Sequence, residues 1–298
     1  METLAENAGS RPSLQLPVGT AGKVGFVEME FAPSRGLTRL VRSRYQIPLQ
    51  LLRAMHYDSA EPTMAYMSVI APVGGVVQGD RLKLSATARA GAAAHVTTVS
   101  ATNVYSMETD YGSLEEELCV DADAYLEYLP DPIIPHRNAR YRQSTRLIVD
   151  PHGCLVYGEI LLPGRIHMNA EVFLYDEVDF RLRALRPDGS LLFVDHFRLE
   201  PKQMNCDQVG RVGSLGIITT MYVLCPPNYL PHLRQALSEL SLAPPLALVG
   251  FSELPESSGL MLRGLTADTV LAGRLLTSAW QAARRVLRGT PIPEVRKY

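Results

Sequence analysis

The feature that most constrains this chain is a long succession of short apolar runs separated by turn-forming residues. The first run, Lys23–Phe31, alternates along its length, with Val27, Met29 and Phe31 on one face. Further runs follow at Met64–Ile70, Leu82–Thr87, Ala94–Ser100, Leu114–Ala124, Ala139–Val149, Cys154–Leu162, Val172–Leu185 and Leu191–Leu199. Glycine, proline and aspartate separate these runs, and no helical period interrupts them. Strands at this spacing, without intervening helices, predict a sandwich, barrel or β-solenoid rather than a parallel βαβ sheet.

The length leaves the number of domains open between one and two. The chain has 298 residues, which leans towards two domains at about 150 residues each, although a single all-β domain of this size is common. Residues 1–22 are rich in glycine, serine, proline and alanine and show no periodicity. We therefore expect residues 1–22 to be a flexible tail and residues 23–298 to form a single domain.

The last third of the chain combines strand patterns with two helical ones. Residues 213–225 predict one strand or a pair, and residues 246–251 and 259–265 predict two more. Pro226–Ser241 carries leucines three or four residues apart, which predicts a short helix.

The clearest helical pattern runs from Thr266 to Arg288. Thr266 is predicted to be the N-cap, the arginines of the last turn suit the carbonyl end of the helix dipole, and Gly289 suits the C′ position. An apolar stripe runs along one side and consists of Leu276, Trp280, Ala283 and Leu287. This stripe predicts a helix that packs against the β structure.

Charge and hydropathy exclude several classes of function. The formal net charge is −2, whereas a nucleic-acid-binding protein usually carries a basic footprint. No apolar run reaches the ~18 residues of a membrane-spanning helix, and the N-terminus is acidic where a secretory signal is basic. The sequence therefore predicts a soluble, cytoplasmic protein with neither a nucleic-acid nor a membrane partner.

Motifs of the common enzyme classes are missing from the sequence. Residues 213–216 (GSLG) lack the GxSxG spacing of a nucleophile elbow, and residues 74–80 are not followed by the Gly-Lys-Ser/Thr of a P-loop. Asp195 and His196 are adjacent in a strand pattern and point to opposite faces, which argues against half of a catalytic triad. A hydrolytic enzyme stays only as a distant alternative, because its residues would have to converge from separate segments.

Metal-binding spacings are missing as well. The seven histidines form no HxH or HxxxH pair, and the four cysteines form no CxxC pair. In a chain without a secretory signal, cysteines are expected to be reduced and buried as small apolar residues. The cysteines are Cys119, Cys154, Cys206 and Cys225.

One predicted strand, Leu114–Ala124, carries an acidic face. Its acidic side chains at alternate positions are Glu115, Glu117, Asp121 and Asp123. A solvated face is the favoured interpretation, and a negative surface that attracts cations or a basic partner is the alternative.

Three clusters of polar residues, glycine and proline stand out from the strand pattern. They are residues 73–82 (VGGVVQGDRL), residues 125–135 (YLEYLPDPIIP) and residues 159–165 (EILLPGR), the last followed by Glu171. Each alone is typical of turns. Together with the threonine-rich residues 97–105 and a basic C-terminal helix that closes on Arg296-Lys297-Tyr298, in this order, they resemble the UreD (UreH) family of urease accessory proteins over residues 24–298.

The resemblance implies a fold and a function. The fold is mainly β, a right-handed β-helix-like double layer with two helices in the C-terminal third, and a β-sandwich is the alternative. The function is that of a non-catalytic scaffold that binds the urease apoprotein, a UreF-like protein and, through it, a UreG-like GTPase. The GTPase partner agrees with the missing P-loop. Nickel is implied as a transient cargo delivered to urease, with no tightly bound cofactor.

A nickel conduit needs carboxylates that bind weakly enough to release the ion. Ni²⁺ accepts carboxylate oxygen, and closed polydentate sites hold it very tightly, so scattered single acids suit a path better. The candidates, all within the family-like motifs, are Asp80, Glu127, Asp131, Glu159 and Glu171. Arg81 and Arg165 stand beside these acids and are predicted to form structural ion pairs. A purely structural adaptor without metal transit is the alternative function.

Four positions depart from the usual family pattern and indicate a divergent member. Val73 stands where proline is common, Asn103 where lysine is usual and Tyr128 where tryptophan is typical. Residues 169–171 replace a more glycine-like approach to the glutamate. These differences bear on the contacts with partners more than on the fold.

Overall fold

The computed structural model describes residues 22–72, 74–168, 171–206, 208, 212–240 and 247–297. The predicted tail up to residue 21, Val73, residues 169–170 and Tyr298 lie outside the described residues. The strands are β1 (Val24–Ser34), β2 (Leu37–Gln46), β3 (Gln50–Leu51), β4 (Ala65–Ile70), β5 (Gly75–Val76), β6 (Arg81–Ala88), β7 (Ala93–Thr98), β8 (Thr102–Val104), β9 (Gly112–Val120), β10 (Tyr125–Tyr128), β11 (Ile133–Pro135), β12 (Arg140–Val149), β13 (Cys154–Leu161), β14 (Glu177–Leu185), β15 (Leu191–Leu199), β16 (Ile217–Leu224), β17 (Ala247–Glu253) and β18 (Gly259–Thr266). The α-helices are α1 (Leu230–Ser238) and α2 (Thr269–Arg288).

The strands form two sheets. Sheet A has the order β15-β14-β12-β9-β6-β1-β2, and sheet B has the order β17-β18-β16-β13-β10-β7-β4-β3, with β5, β8 and β11 attached beside it. The central strands of both sheets are parallel, namely β1, β6, β9, β12 and β14 in sheet A and β4, β7, β10 and β13 in sheet B. Antiparallel strands close each sheet at both ends.

A repeated turn carries the chain from sheet A to sheet B. The last N–H of each turn donates to the first carbonyl in residues 89–92, 121–124 and 150–153. These turns join β6 to β7, β9 to β10 and β12 to β13. Asp123 adopts a φ of 57° in the second turn, a conformation that aspartate tolerates better than most residues. Since the strands on either side are parallel neighbours, the three turns stack and the chain winds as a double-layered coil.

The prediction of a mainly β chain with two helices in its C-terminal third is confirmed. The long parallel ladders favour the coiled double layer over an antiparallel sandwich. The right-handed winding implied by the resemblance stays a prediction, as does the assignment of residues 23–298 to one domain. No helix in the described residues is long and apolar enough to cross a lipid bilayer.

The central strands of sheet B are buried on both faces, whereas the edge strand β17 is exposed from Leu248 onwards. Towards sheet A, Met67 and Leu126 join a core with Phe31 of β1. Towards the helices, Val156 packs in a second core with Trp280 of α2. Strand β16 is buried over its whole length, as expected for a strand covered on both sides.

Helix α2 begins later than predicted. Asp268, not Thr266, is its N-cap, because the Asp268 carboxylate accepts a hydrogen bond of 2.8 Å from the N–H of Leu271. Thr266 instead belongs to β18, where it pairs with Ile217, so ladder formation overrides its capping propensity. Gly289 ends the helix with a φ of 72°, as predicted. The predicted apolar stripe of α2 is buried.

Several strand boundaries also differ from the predicted ones. Strand β9 ends four residues before Ala124, because the turn of residues 121–124 reverses the chain. Strands β10 and β11 lie in residues 125–135, whose sequence is typical of turns. Strand β2 lacks a recognisable pattern because most of its residues are exposed and polar, and it pairs only with β1.

Two glycines allow α2 to lie close to sheet B. A Cβ atom on Gly158 of β13 would lie 2.7 Å from methyl groups of both Leu129 and Leu276. A Cβ atom on Gly264 of β18 would overlap the side chain of Leu275. The distance between the helix and the sheet therefore depends on the missing side chains at these positions.

We expect Gly158→Ala and Gly273→Ala to change stability in opposite directions. The first forces two buried leucines apart and should lower the free energy of unfolding by about 1–3 kcal/mol. Gly273 lies within α2, where an added Cβ atom would have no neighbour within 4 Å, so alanine there should raise it by up to about 1 kcal/mol. Urea denaturation of both variants measures the difference, and equal effects would contradict the close packing at Gly158.

Candidate functional site

A cluster of polar side chains lies between the two sheets, within an otherwise apolar layer. The strands β9, β10, β12 and β13 each direct alternate side chains into this layer. A buried polar group without a hydrogen-bond partner destabilises the folded state by about 1–3 kcal/mol. The polar side chains of this cluster are therefore expected to form hydrogen bonds with one another. The members of this inter-sheet cluster are Glu116, Tyr128, Tyr141, Gln143, Thr145, Tyr157 and Glu159.

Glu116 is the most enclosed acid of the inter-sheet cluster. Its side chain is buried, and one oxygen accepts a hydrogen bond of 2.7 Å from the Tyr128 hydroxyl. The other oxygen accepts one of 2.7 Å from the Thr145 hydroxyl. These bonds hold the carboxylate in one orientation.

Two side chains connect Glu116 with Glu159. The Gln143 amide donates to Glu116 at 3.3 Å and to Glu159 at 3.1 Å. The Tyr157 hydroxyl lies 3.2 Å from Glu116 and 2.9 Å from Glu159. Because a hydroxyl has a single proton, Tyr157 can donate to only one carboxylate at a time. The two acids therefore compete for donors.

The electrostatics of the two acids reflect this competition. Burial raises the pKa of Glu159 to about 7, and the neighbouring Glu116 carboxyl adds to the rise. Burial also raises the pKa of Glu116, although hydroxyl donors oppose it. No salt bridge to either acid occurs among the described residues. Near neutral pH the pair is thus suited to hold a proton or to exchange it for another cation.

Two adjoining cavities meet at the inter-sheet cluster. The first offers about 70 Å³ to the centres of water molecules and is lined by Glu116, Gln143 and Glu159. The second offers about 30 Å³ and shares Gln143 and Glu159 with the first. A water molecule needs roughly 10–15 Å³ on this measure, so each cavity has room for at least one.

Each cavity is also lined by an acid that has a cationic neighbour. The first is lined by Asp131, which pairs with Lys297 at 2.5 Å. The second is lined by Asp195, which accepts hydrogen bonds from the Tyr222 hydroxyl and from Arg263. Arg263 also lines a wider hollow between β15 and β17. The side chains of Asp131 and Asp195 are partly exposed, so each cavity borders the surface as well as the inter-sheet cluster.

Two of the five predicted path residues, Asp131 and Glu159, line these cavities. Tyr128, a position that departs from the family pattern, belongs to the inter-sheet cluster itself. Asn103, another such position, contacts His136 at 3.0 Å outside the cluster.

Asp80 and Glu171 lie in turns instead. The Asp80 carboxylate accepts backbone hydrogen bonds of 2.9 Å from Lys23 and 3.0 Å from Val77. Glu171 is held by two contacts of 2.7 Å from Arg165, so the predicted ion pair of Arg165 is confirmed. Neither acid lines the two cavities, and their role in a metal path stays a prediction.

Arg81 forms the other predicted ion pair, but with an acid outside its own motif. Its guanidinium contacts Asp110 at 2.9 Å and lies over the Tyr111 ring at 4.1 Å. The acid beside it in sequence, Asp80, receives only a backbone-carbonyl contact.

Glu127 belongs to a second buried cluster, on the opposite face of sheet B. This helix-side cluster consists of Asp58, Tyr66, His95, Tyr125, Glu127 and Arg284. Glu127 contacts His95 at 2.8 Å and accepts a hydrogen bond of 2.6 Å from Tyr125. Although burial opposes it, the His95 contact and the Arg284 charge hold the pKa of Glu127 below its usual range.

Arg284 of α2 supplies the positive charge of the helix-side cluster. Its guanidinium is fully buried, pairs with Asp58 and lies 3.4 Å from Glu127. It also donates to the Tyr66 hydroxyl at 2.9 Å. Arg284 is predicted to interact with the carbonyl end of the helix dipole. In the structure its main contacts are instead those of a buried ion pair, which ties α2 to sheet B.

Glu116 and Arg284 are not among the residues that the sequence predicts to be functional, although each carries a signal. Glu116 is a lone charge on the apolar face of an alternating strand, between Leu114 and Leu118. Arg284 follows the buried Ala283 and lies one turn after Trp280 in the apolar stripe. A charge at a core position indicates either a structural ion pair or a functional site.

The acidic face of β9 is a solvated face, as favoured from the sequence. Three of its four acids are paired with cations from neighbouring strands or turns, which leaves little net negative potential. The pairs are Glu115 with Lys83 (2.9 Å), Glu117 with Arg146 (2.7 Å) and Asp121 with Arg89 (3.6 Å).

Histidine and cysteine positions give no metal centre in the described residues. No group of three or more histidine, cysteine or acidic side chains there is arranged to hold a metal ion. His196 contacts Asp179 at 2.9 Å while Asp195 faces Arg263, so the adjacent pair does point to opposite faces. Cys206 and Cys225 are buried, Cys119 and Cys154 are half-buried, and none is in a disulfide.

Comparison with known proteins identifies similar sequences along nearly the whole chain. The family model described as "UreD urease accessory protein" matches residues 23–297. A urease accessory protein UreD of Cenarchaeum symbiosum (strain A) is 34% identical over 283 residues, which cover 95% of this chain and 99% of that protein. A urease accessory protein UreD 2 of Brucella suis biovar 1 is 31% identical over 94% of this chain and 93% of its own length. A UreD of Photorhabdus laumondii is 31% identical over 94% of this chain and 88% of its own length.

The raised pKa of Glu159 predicts a pH-dependent gain in stability for Glu159→Gln. Between the ordinary value of 4.5 and about 7, the folded chain holds a proton that the unfolded chain has lost. Its free energy of unfolding therefore falls as pH rises through this window. Glutamine has no proton to lose, so the stability of the variant does not fall in this window. We expect the variant to be about 1–3 kcal/mol more stable than the parent at pH 8 and nearly equal to it at pH 5. Urea denaturation at both pH values decides it, and a pH-independent difference would contradict the assignment.

Removing the cation of the helix-side cluster should be strongly destabilising. Arg284→Met leaves Asp58 and Glu127 buried without their partner, and we expect a loss of about 3–5 kcal/mol. Arg285→Met, on the exposed side of the same turn, should stay within about 0.5 kcal/mol. Thermal or urea unfolding of the two variants provides the comparison, and equal losses would show that the ion pair is not what holds α2.

Proposed function

The chain belongs to the UreD family of urease accessory proteins, and from this premise we propose that it supports urease maturation by nickel insertion. In this proposal it binds the urease apoprotein and a UreF-like protein, and through the latter a UreG-like GTPase. Nickel is its transient cargo, and no catalytic step is assigned to the chain.

We further propose that nickel passes through the interior by way of the inter-sheet cluster. Four acids line the two adjoining cavities, namely Asp131, Glu116 and Glu159 in the first and Glu159 and Asp195 in the second. Asp131 and Asp195 have cationic neighbours, whereas the other two acids, the central pair, form no salt bridge among the described residues. A divalent cation would therefore find its greatest gain in charge compensation at the centre.

The chemistry of the central pair suits a site that binds and releases. Two carboxylates with tyrosine and glutamine donors offer fewer ligands than a closed site of three or four. The proton held near neutral pH competes with the metal, since a carboxylate must lose its proton to coordinate. Both effects weaken binding, as a site on a path requires.

The observation that carries this proposal is the position of Glu116 and Glu159, two acids that have no salt bridge within the described part of the chain. Both line the first cavity, and Glu159 also lines the second. Glu127, by contrast, is already neutralised by Arg284. Of the sequence candidates, Glu159 and Asp131 therefore keep the strongest support for a role in transit.

Neighbouring glutamates of β9 provide a matched test. We expect Glu116→Gln to lower the nickel content of co-expressed urease about tenfold, as for the loss of roughly 1.4 kcal/mol at one ligand. Glu115→Gln, one residue away on the solvated face, should leave loading unchanged. Metal analysis of purified urease and its activity measure the effect, and co-purification of the partners shows whether the complex persists.

The adaptor hypothesis predicts a different pattern. If the chain only holds its partners together, Glu116→Gln and Glu115→Gln give the same nickel content wherever the complex is intact. That result would remove the interior path while leaving the accessory role. Loss of the complex in both variants would instead indicate that β9 contributes to partner binding.

A further inference from the structure

Outside the proposed nickel path, two cysteines of sheet B face each other across neighbouring strands. We propose that Cys154 and Cys225 form a reversible intramolecular disulfide, a modification site separate from the inter-sheet cluster.

The register of β13 and β16 places the two cysteines opposite each other. The antiparallel ladder pairs Leu155 with Leu224 and continues to Leu161 with Ile218. One step beyond its end, Cys154 stands directly opposite Cys225. Directly opposed residues in a ladder direct their side chains to the same face of the sheet.

Backbone hydrogen bonds bring this pair into close range. The N–H of Cys154 donates to Ala124 and that of Cys225 to Ser258, both away from the opposite cysteine. The pair is therefore of the non-hydrogen-bonded kind, in which Cα atoms lie about 4.5 Å apart. Disulfides span Cα distances of roughly 4.4–6.8 Å, so closure needs little backbone movement.

Both thiols lie in or against the same apolar core. Cys225 is buried in the helix-side core, and Cys154 packs against the same core. Burial raises the pKa of Cys225 to about 12, with a contribution from the neighbouring Cys154. A neutral disulfide suits such an apolar site as well as two neutral thiols do.

A surface cavity gives a reagent access to Cys154. The cavity offers about 290 Å³ to water centres and is lined by Asp123, His152, Cys154 and Arg288. Cys154 is half-buried, whereas Cys225 is buried. Cys154 is thus the sulfur that meets a small oxidant first.

The oxidant is a low-molecular-weight disulfide, and the reaction proceeds in two exchanges. The Cys154 thiolate attacks one sulfur of the reagent, forms a mixed disulfide and releases one thiol. The Cys225 thiolate then attacks the Cys154 sulfur and releases the second thiol. The protein loses two protons and two electrons, and the reagent takes up both to become two thiols.

The remaining cysteines lie elsewhere in the fold. Cys119 is in β9 of sheet A, opposite Thr87 and Ile148 in the neighbouring ladders. Cys206 follows β15 in the loop beyond sheet A, near the Met204 carbonyl. The disulfide is therefore specific for one pair.

Closure would link two strands that also line the second cavity. Strand β13 contributes Tyr157 and Glu159 to that cavity, and β16 contributes Thr220 and Tyr222. The bond therefore fixes one end of the ladder whose other residues border the inter-sheet cluster. We expect the oxidised chain to resist unfolding better than the reduced chain, since the link constrains the unfolded state.

Mass spectrometry of the full chain tests the proposal directly. Because burial raises the pKa of Cys154 to about 11, the thiolate is a minor species at mildly alkaline pH, so the reduced, folded protein is given a prolonged incubation with oxidised glutathione there. Free thiols are then alkylated. We expect a species about 2 Da lighter before alkylation, because two hydrogens leave. Its digest should contain a peptide pair linked through Cys154 and Cys225.

Variants separate this bond from other outcomes. A Cys119→Ser/Cys206→Ser chain should still form the link and show a higher unfolding midpoint after oxidation. Cys225→Ala should stop at a glutathione adduct on Cys154 and show no such rise. A linkage through Cys119 or Cys206, or a link that forms only in denaturant, overturns the proposal, and the parent chain alone suffices to decide this if a variant fails to fold.

Discussion

The structure depends on the double coverage of the central strands of sheet B, which lie between sheet A on one side and the helices on the other. A polar side chain on these central strands is removed from water, so it needs a partner inside the protein. Sheet A has no such restriction, because its outer face pairs its charges at the surface, as Glu115 does with Lys83. Two buried polar clusters accordingly lie on the two sides of these central strands, while sheet A holds buried acids of its own, such as Asp179.

The two faces satisfy their acids by different means. Towards the helices, Arg284 compensates Asp58 and Glu127, and the result is a fixed contact between distant parts of the chain. Towards sheet A, Glu116 and Glu159 receive hydrogen bonds from neutral donors, have no salt bridge among the described residues and lie next to cavities. The first arrangement is closed and structural. The second leaves two acids without a compensating cation beside space for water, which is why the proposed function is placed there.

Much of the fold could be predicted from the sequence, because strands that alternate regularly, such as β1, are recognised by their period of two. The short strands β10 and β11 could not, since the prolines between them and at the end of β11 are typical of turns, and pairing with parallel neighbours makes them strands. The site was partly predictable: Glu159 and Asp131 lie in recognisable motifs. Glu127 is a path candidate from the sequence and stays a prediction, because the sequence shows the acid but not the arginine 157 positions later that pairs with it. Glu116 is not predicted to be functional, because the other acids of residues 114–124 lie on the opposite, exposed face and make the whole strand look like a solvated acidic one.

The antiparallel strands at the ends of both sheets have a consequence for how such a protein can vary. Between these closing strands, each winding of the chain adds one strand to each of the two sheets. The closing strands end the parallel ladders, so that the sheets do not pair with those of another molecule. The length of the coil can therefore change only by whole windings, which can be inserted or lost while the closing strands stay in place. A single extra residue within a strand instead moves every following side chain of that strand to the opposite face of the sheet. Relatives of different length should therefore differ by loops or by complete windings. The length of the stacked sheets should then change in steps of one winding.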